Sequence, residues 1–424
     1  MKKFLALIIA LVMALSLVAC GEQKQPETPD VPDDGEQTAT IKVGFITLHD
    51  ENSTYDLNFI NAAKEAIANL GLTENDYILK TNIEEGQKCY DTAAELADAG
   101  CNIIFADSFG HESYMIQAAK DFPDVQFCHS TGTRAHTENL PNYHNAFASI
   151  YEGRYLAGIA AGMKMNEMIE AGKFTADEAK MGYVGAFTYA EVVSGYTSFY
   201  LGAKSVCPTV TMDVTFTGSW YDETLEKEGA QKLIDGGCKL ISQHADSLGA
   251  PTACENAGIP NVSYNGSTQA AGPNTYIISS RIDWAPYYEM AIKAVMDGTE
   301  IPVDYTGDLK TGSVVLTDLN TAVAAEGTQA AIDEAMAKLE NGELHVFDCS
   351  TFTTSVELNP FKTDYLTVDA DGHITSYLAD VDTDEAYAGD TEVITSGYFS
   401  ESTARSAPYF DLSIDGINLL DTKM

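Results

Sequence analysis

Basic residues are scarce in this sequence. Lysine and arginine together number 24 among 424 residues, against 63 aspartates and glutamates, so the formal net charge at pH 7 is −39. A surface of that sign repels phosphate backbones and anionic lipid headgroups. We therefore expect no nucleic-acid partner.

The sequence also lacks the short motifs of several common chemistries. It contains no C-x-x-C pair, no Walker A glycine loop and no G-x-S-x-G nucleophile elbow, which argues against the corresponding zinc, nucleotide and serine-nucleophile sites. His49 and His244 each have an aspartate nearby, but a histidine that contacts a ligand or a backbone carbonyl explains both equally well. We expect no metal site, no cofactor and no enzymatic activity. Seven cysteines follow Cys20, and the sequence leaves their pairing open.

Long apolar runs are absent beyond the amino terminus. There, two lysines precede an apolar run over residues 4–19, which is too short and wrongly flanked for a lasting membrane span. The following LVACG segment at 17–21 resembles a bacterial lipobox, whose cysteine is lipidated after cleavage; a plain signal peptide is the alternative. We predict a lipoprotein signal peptide over 1–20 and a protein anchored to the extracytoplasmic face of a bacterial cell membrane through a lipid on Cys20.

Residues 21–40 contain few large apolar side chains. The segment is acidic and proline-rich, so it cannot bury enough surface to order itself. We predict a disordered acidic tether. Extended, its roughly 20 residues would reach about 60 Å, which lets a folded body move near the membrane.

From residue 41 onward, short apolar runs alternate with amphipathic segments. The first series has an opening strand and helix within 41–70, and then strands and helices at 77–81, 87–99, 102–106, 112–122 and 125–128. A second series has elements at 151–165, 180–185, 189–204, 209–216, 225–235, 239–243, 249–257, 261–264 and 276–279. Such alternation predicts parallel sheets covered by helices.

The two series predict two α/β lobes joined by several crossovers. The first lobe is expected to comprise residues 41–148 with about 281–311, and the second 149–280 with about 312–424. A further helix is predicted at 322–340. The remaining carboxyl-terminal part has no assigned role, although we expect it to pack on the second lobe.

Six short segments, in this order, resemble the basic membrane lipoprotein (BMP, PnrA-like) family. They are DLNFINAAKE at 56–65, EGRYLAG at 152–158, KMGYVG at 180–185, GSWYD at 218–222, QHADS at 243–247 and WAPYY at 284–288. The last three look most like the branch that binds purine bases or nucleosides. The resemblance implies a type I periplasmic-binding-protein fold, with two doubly wound lobes, and a receptor that delivers a purine nucleoside or base to the permease of an ABC importer.

The sequence departs from the family pattern at three places. Asn58 stands where the family has serine, and Asn265 where it frequently has aspartate. The expected lysine of the following segment is missing, with Arg281 the nearest cation. All three residues are candidates for ligand contact.

Aromatic side chains are the first requirement of a nucleobase site, because stacking contributes about 1–3 kcal/mol per base. The candidates are Tyr55, Phe59, Phe109, Tyr189, Trp220 and Trp284. Tyr189 and Trp220 follow strands and have polar neighbours, which favours a ligand role. For Phe59 and Trp284, packing in the core is an equal alternative.

Carboxylates are the second requirement, because they accept hydrogen bonds from adjacent ribose hydroxyls. Asp56, Asp107 and Asp246 each follow a predicted strand at its carboxyl end, where open α/β sheets bind their ligands. Asp107 is the strongest candidate, and helix N-capping is the alternative for the other two. Asn265 suits a base edge or a hydroxyl, or alternatively a turn.

Three other functions remain open from the sequence. A receptor of the same fold for a sugar or another small polar solute would use the same aromatic and acidic residues. A nucleoside-hydrolysing enzyme is disfavoured because the first loop lacks a dense aspartate cluster. A membrane-anchored sensor without transport is the third. For a receptor, we expect closure about a hinge near Ala146, Ser280 and Gly312.

Overall fold

The computed structural model describes residues 41–381 and 389–423. The predicted signal peptide, Cys20 and the tether at 21–40 lie outside the described residues. Within the described part, no helix is long and apolar enough to cross a membrane.

Strands and helices alternate through most of the described chain. The strands are β1 Val43–Ile46, β2 Tyr77–Lys80, β3 Ile103–Ala106, β4 Gln126–Ser130, β5 Tyr143–Ala148, β6 Lys180–Gly185, β7 Thr211–Phe216, β8 Leu240–His244, β9 Asn261–Tyr264, β10 Tyr276–Ile282, β11 Asp304–Gly307, β12 Val314–Leu316, β13 Leu366–Val368, β14 Ile374–Ala379, β15 Thr391–Glu392, β16 Ile394–Thr395, β17 Tyr398–Phe399 and β18 Ile417–Leu419. The α-helices are α1 Thr54–Asn69, α2 Gln87–Asp98, α3 Glu112–Asp121, α4 Ala135–Glu138, α5 Ile150–Glu170, α6 Ala190–Val206, α7 Glu223–Asp235, α8 Gly249–Ala257, α9 Ala285–Asp297 and α10 Thr328–Asn341. Two short 3-10 helices occur at Phe109–His111 and Ala176–Glu178.

The first lobe is built on a parallel sheet with the strand order β11-β5-β4-β3-β1-β2. All four residues of β1 are buried, as expected for a strand covered by helices on both faces. Phe45 of β1 stacks on Phe105 of β3 at 5.3 Å between ring centroids, and its ring also lies 5.2 Å from that of Tyr288 in α9. Helix α9 thus packs against a sheet whose strands, apart from β11, come from much earlier in the chain.

The second lobe is built on a sheet with the order β12-β10-β9-β8-β6-β7-β18, in which only β12 is antiparallel to its neighbour. Helices α5 and α6 of this lobe pack closely on each other because glycines remove side chains from their contact. A Cβ at Gly158 would lie 2.1 Å from the carbonyl oxygen of Phe199, and one at Gly202 would lie 2.0 Å from that of Tyr155. The chain passes between the sheets after β5, β10 and β11.

The carboxyl-terminal region packs on the second lobe. The rings of Phe347 and Phe410 stack at 4.4 Å, and Phe347 also contacts Tyr151 of α5 at 5.4 Å. Phe347, Phe352, Phe399 and Phe410 belong to the same buried cluster as α5 and α6. The last strand, β18, adds to the edge of the second sheet beside β7.

One helix begins later in the structure than the sequence predicts, and one strand is not predicted at all. The helix predicted at 322–340 begins only at Thr328, after Gly327 with a φ of 80°. Strand β5 is not predicted, because its buried residues include His144 and Asn145. The structure pairs these polar groups: His144 Nε2 lies 2.9 Å from Gln126 Oε1, and Asn145 Oδ1 accepts the amide of Ala135 at 2.7 Å.

A candidate ligand-binding cleft

A cavity lies between the two lobes. Its lining from the first lobe includes His49, Tyr55, Asp56, Ser108, Phe109 and Thr131. Its lining from the second lobe comprises Glu191, Trp220, His244 and Asp246. These residues lie in the loops or first helical turns that follow parallel strands, or at a strand end, which is where open α/β sheets bind ligands.

The first loop fixes Asp56 by hydrogen bonds. The amide of His49 donates to Asp56 Oδ1 at 2.8 Å, and the Ser53 hydroxyl donates to Oδ2 at 2.6 Å. Burial alone would raise the pKa of Asp56, but the hydrogen bonds from His49 and Ser53 outweigh it and lower the pKa. Asp56 is therefore a carboxylate, and Ser53 rather than Asp56 is the N-cap of α1.

Asp107 lies behind the lining and supports it. Its Oδ1 accepts the amide of Leu48 at 3.1 Å, and its backbone oxygen accepts the Tyr55 hydroxyl at 2.7 Å. The side chain is 1% exposed, and Oδ2 has no partner among the described residues. Burial, reinforced by the nearby charge of Asp56, raises the pKa of Asp107 well above its usual range and so favours its protonated form.

Four aromatic rings form a chain from one lobe to the other. Phe109 of the first lobe stacks on Tyr189 of the second at 5.3 Å between centroids. Tyr189 stacks on Phe187 at 5.1 Å, and Phe187 contacts Trp220 edge-on at 5.1 Å. Of these, Phe109 and Trp220 line the cavity, and 38% of Phe109 is exposed.

Two other predicted aromatic contacts lie in the core of the first lobe instead. Phe59 stacks on Trp284 at 4.6 Å, and their exposures are 1% and 2%. Both residues belong to the buried cluster beside β1 and α9. Neither lines the cavity, so the packing alternative describes them.

The remaining predicted residues differ in their relation to the cavity. Asn265 lies next to it, with a φ of 66°, and its Nδ2 donates to Asp246 Oδ1 at 3.2 Å. Asn58 is buried in α1 and does not line the cavity. Arg281 lies on β10, where its Nη2 donates to Asp283 at 3.2 Å, and it does not line the cavity either.

Asp246 lies in the cavity wall, where burial favours its protonated form. Burial, followed by the nearby charge of Glu226, raises its pKa well above the usual range, although the hydrogen bond from Asn265 opposes that shift. A protonated carboxyl can donate a hydrogen bond, which an ionised one cannot. The cavity therefore presents an acceptor at Asp56 and a donor at Asp246.

Sequence reasoning missed part of the lining. Glu191 lies in the first turn of α6, and its Oε1 is 3.3 Å from His244 Nε2. Burial lowers the pKa of His244, so the imidazole is neutral. Thr131 directly follows β4 and Ser108 lies two residues beyond the end of β3, so a search of every strand end could have found them. Among the described residues, no group of three or more histidine, cysteine or acidic side chains is placed to hold a metal ion.

The lobes touch across the cavity. The amide of Thr54 donates to the backbone oxygen of Asp246 at 3.0 Å, and its hydroxyl to the same oxygen at 3.2 Å. The rings of His49 and Tyr221 lie 5.5 Å apart. With the Phe109–Tyr189 stack, these contacts close the cleft.

Comparison with known proteins identifies the family. The profile described as ABC transporter substrate-binding protein PnrA-like (Bmp) matches residues 44–346. This chain belongs to the Bmp family. A purine-binding protein of Brucella abortus is 32% identical to this Bmp-family chain over 310 residues, covering 72% of the chain and 83% of that relative.

Two further relatives bear on ligand and fold. A Haloferax volcanii protein with the provisional name of ABC transporter glucose-binding protein is 34% identical over 259 residues, covering 61% of this chain and 62% of its own. The crystal structure of an ABC transporter solute-binding protein from Aeropyrum pernix K1 has a TM-score of 0.61 at 18% identity, covering 72% of this chain and 93% of that one. That likeness bears on the fold alone, and the predicted type I periplasmic-binding-protein fold is confirmed.

Membership of the Bmp family establishes the general role of the protein. It is an extracytoplasmic substrate-binding protein of an ABC transporter, with a small-molecule ligand and a permease as its partners. The predicted family is confirmed. The match ends at residue 346, so most of the carboxyl-terminal region lies beyond it.

Proposed function

We propose that this Bmp-family protein binds a purine nucleoside or purine base in the interlobe cleft and delivers it to an ABC importer. The observation that carries the proposal is the pair of aromatic rings, Phe109 and Trp220, that line the cavity from opposite lobes. A flat base offers both rings an apolar face, and each stacking contact is worth about 1–3 kcal/mol. We also propose that a lipid on Cys20 holds the protein at the membrane and that it has no enzymatic activity.

The polar groups of the cavity suit the rest of such a ligand. The Asp56 carboxylate can accept from ribose hydroxyls, and Asp246 in its protonated form can donate to a base nitrogen or oxygen. The buried hydroxyl of Thr131 lines the cavity and has no partner among the described residues. Because an unsatisfied buried polar atom costs free energy, a ligand that pairs with it gains affinity.

A sugar is the second candidate ligand. The Haloferax volcanii relative carries a glucose-binding name, and sugar hydroxyls pair with the same carboxyl groups. The name of the Brucella abortus relative supports a purine instead, as does the number of rings at the cleft.

A ligand screen tests the proposal. With the protein from which residues 1–20 are removed, adenosine, guanosine, inosine, adenine or hypoxanthine at about 100 times Kd should stabilise the fold by about 2.7 kcal/mol and raise Tm. Glucose and ribose serve as comparison ligands. Stabilisation by a sugar but by no purine would replace the first candidate with the second, and release of hypoxanthine from inosine would show an enzyme.

A further inference from the structure

The last residues of the chain contact the loops that carry the aromatic rings of the second lobe. Strand β18 pairs with β7, and the chain then continues along the end of β7 toward the cleft. The amide of Leu420 donates to the backbone oxygen of Val214 at 2.8 Å. Residues 421–423 follow, and we call them the C-terminal clasp.

Asp421 binds the end of β7 from which the Trp220 loop departs. Its Oδ1 accepts the amide of Phe216 at 2.7 Å, and its Oδ2 accepts the Thr215 hydroxyl at 2.6 Å and Lys232 Nζ at 2.9 Å. The pKa of Asp421 is lowered, because these hydrogen bonds outweigh its partial burial. Asp421 is therefore ionised, and charge-assisted hydrogen bonds are stronger than neutral ones.

Lys423 binds the loop that carries Phe187 and Tyr189. The amide of Thr188 donates to the backbone oxygen of Lys423 at 2.7 Å, and the amide of Lys423 donates to the Thr188 hydroxyl at 2.9 Å. The Lys423 side chain also lies against Gly218, 3.5 Å from where a Cβ would be. Gly218 has a φ of 77° and precedes Trp220 by two residues. One short segment thus joins both aromatic loops.

We propose that the C-terminal clasp positions Phe187, Tyr189 and Trp220 in the cleft and thereby sets ligand affinity. Loops gain a fixed conformation from such bonds, and a ligand then meets rings that are already ordered. The clasp lies beyond the part of the chain that the family profile matches. The effect on affinity rests on the proposed purine ligand; the positioning of the rings does not.

Tryptophan fluorescence tests the positioning without a ligand. The protein has two tryptophans: Trp284 is buried in the core, and Trp220 lies at the cleft. Deleting residues 421–424 from the otherwise full-length protein should shift the Trp220 emission to longer wavelength and increase its quenching by acrylamide. W220F with the same deletion supplies the Trp284 signal for subtraction. Unchanged Trp220 emission and quenching in a folded deletion variant would overturn the proposal.

Single substitutions separate positioning from the docking of β18. Asp421→Asn should weaken adenosine binding about tenfold, the loss expected for charge-assisted hydrogen bonds, and should increase Trp220 quenching. Asn418→Ala is the matched control. It removes the hydrogen bond that Asn418 Nδ2 of β18 donates to Asp213 of β7 at 3.1 Å, but it touches neither aromatic loop. It should leave both readouts unchanged.

The possible outcomes differ for the two proposals. Equal effects of Asn418→Ala and Asp421→Asn on Trp220 would mean that the clasp acts only through strand docking, which overturns the inference. If the unsubstituted protein bound none of the five purines of the ligand screen, the purine ligand would be contradicted, while the Trp220 readout would still decide whether the clasp positions the rings.

Discussion

Single carboxyl groups around the cleft differ in protonation because their surroundings differ. Hydrogen bonds from His49 and Ser53 lower the pKa of Asp56 and keep it ionised, whereas burial raises the pKa of Asp107 and Asp246 and favours their protonated forms. The same residue type therefore supplies an acceptor at one wall and a donor at the other. Such a pair can recognise a ligand with both donors and acceptors, as nucleosides have.

Two phenylalanines that the sequence treats alike should behave differently when they are truncated. Phe109 is partly exposed at the cleft, so Phe109→Ala should weaken adenosine binding by about 1–3 kcal/mol and change stability little. Phe59 is 1% exposed and stacks on Trp284, so Phe59→Ala should lower the free energy of unfolding by about 3–5 kcal/mol. Calorimetry and urea unfolding measure the two effects.

Phe59→Ala and Phe109→Ala serve as controls for each other. A strong loss of binding in a stably folded Phe59→Ala variant would contradict its placement in the core. Full affinity in Phe109→Ala would contradict its role as a stacking surface.

At the scale of elements, α7 holds the loop that carries Asp246. Glu226 in the first turn of α7 is fully buried and accepts the amide of Ser247, next to Asp246, at 3.2 Å. Burial raises the pKa of Glu226 to about 7, although its hydrogen bonds with Ser247 and Asp222 oppose the shift. This helix-to-loop contact therefore titrates near neutral pH.

The stability of the protein should depend on pH through Glu226. A folded-state pKa above the unfolded value of about 4.3 means that the folded state holds the proton more tightly. The contribution is complete below the unfolded pKa and is lost as pH rises through about 7. Relative to Glu226→Gln, which cannot ionise, the unsubstituted protein should therefore lose stability between pH 5 and about 8. Urea unfolding of both proteins across that range measures the difference, and a constant difference would contradict a buried, titrating Glu226.

Elements were more predictable from the sequence than the residues that line the cleft. Strands such as β6 and β9 and helix α8 follow directly from apolar runs and their spacing. Strand β5 does not, because its polar residues are buried in pairs with other elements. Periodicity cannot register partners that are distant in sequence.

The candidate site was predictable in part for a related reason. The rule of strand carboxyl ends correctly brings Asp56, Trp220 and Asp246 to one cavity. It cannot tell that Phe59 turns to the core or that Arg281 pairs with Asp283, since both depend on the direction in which a side chain leaves its element. Glu191 was missed because one acid at the start of a helix resembles any other.

At the scale of the whole molecule, the cleft and the surface share a negative charge. Asp56 and Glu191 line the cavity as acidic side chains, and no lysine or arginine in the described part of the chain does so. The net charge of the full sequence is −39. A phosphate group in the cleft would therefore be desolvated without a cation to pair with it, which is costly.

The protein should consequently discriminate between a nucleoside and its phosphate. We expect adenosine 5′-monophosphate to bind at least about 100-fold more weakly than adenosine, since an unpaired buried charge typically costs 3–5 kcal/mol. Raising the ionic strength should narrow this gap by screening the surface, while adenosine affinity stays constant. Glu191→Gln removes a cleft acid but retains the shape of the side chain. At low salt this variant should therefore show a smaller difference in affinity between adenosine and its monophosphate. Competition calorimetry against adenosine measures the affinity difference, its dependence on salt and the effect of Glu191→Gln. Equal affinity for the nucleotide would mean that its phosphate lies outside the acidic cavity, with the base in a different orientation from the one proposed.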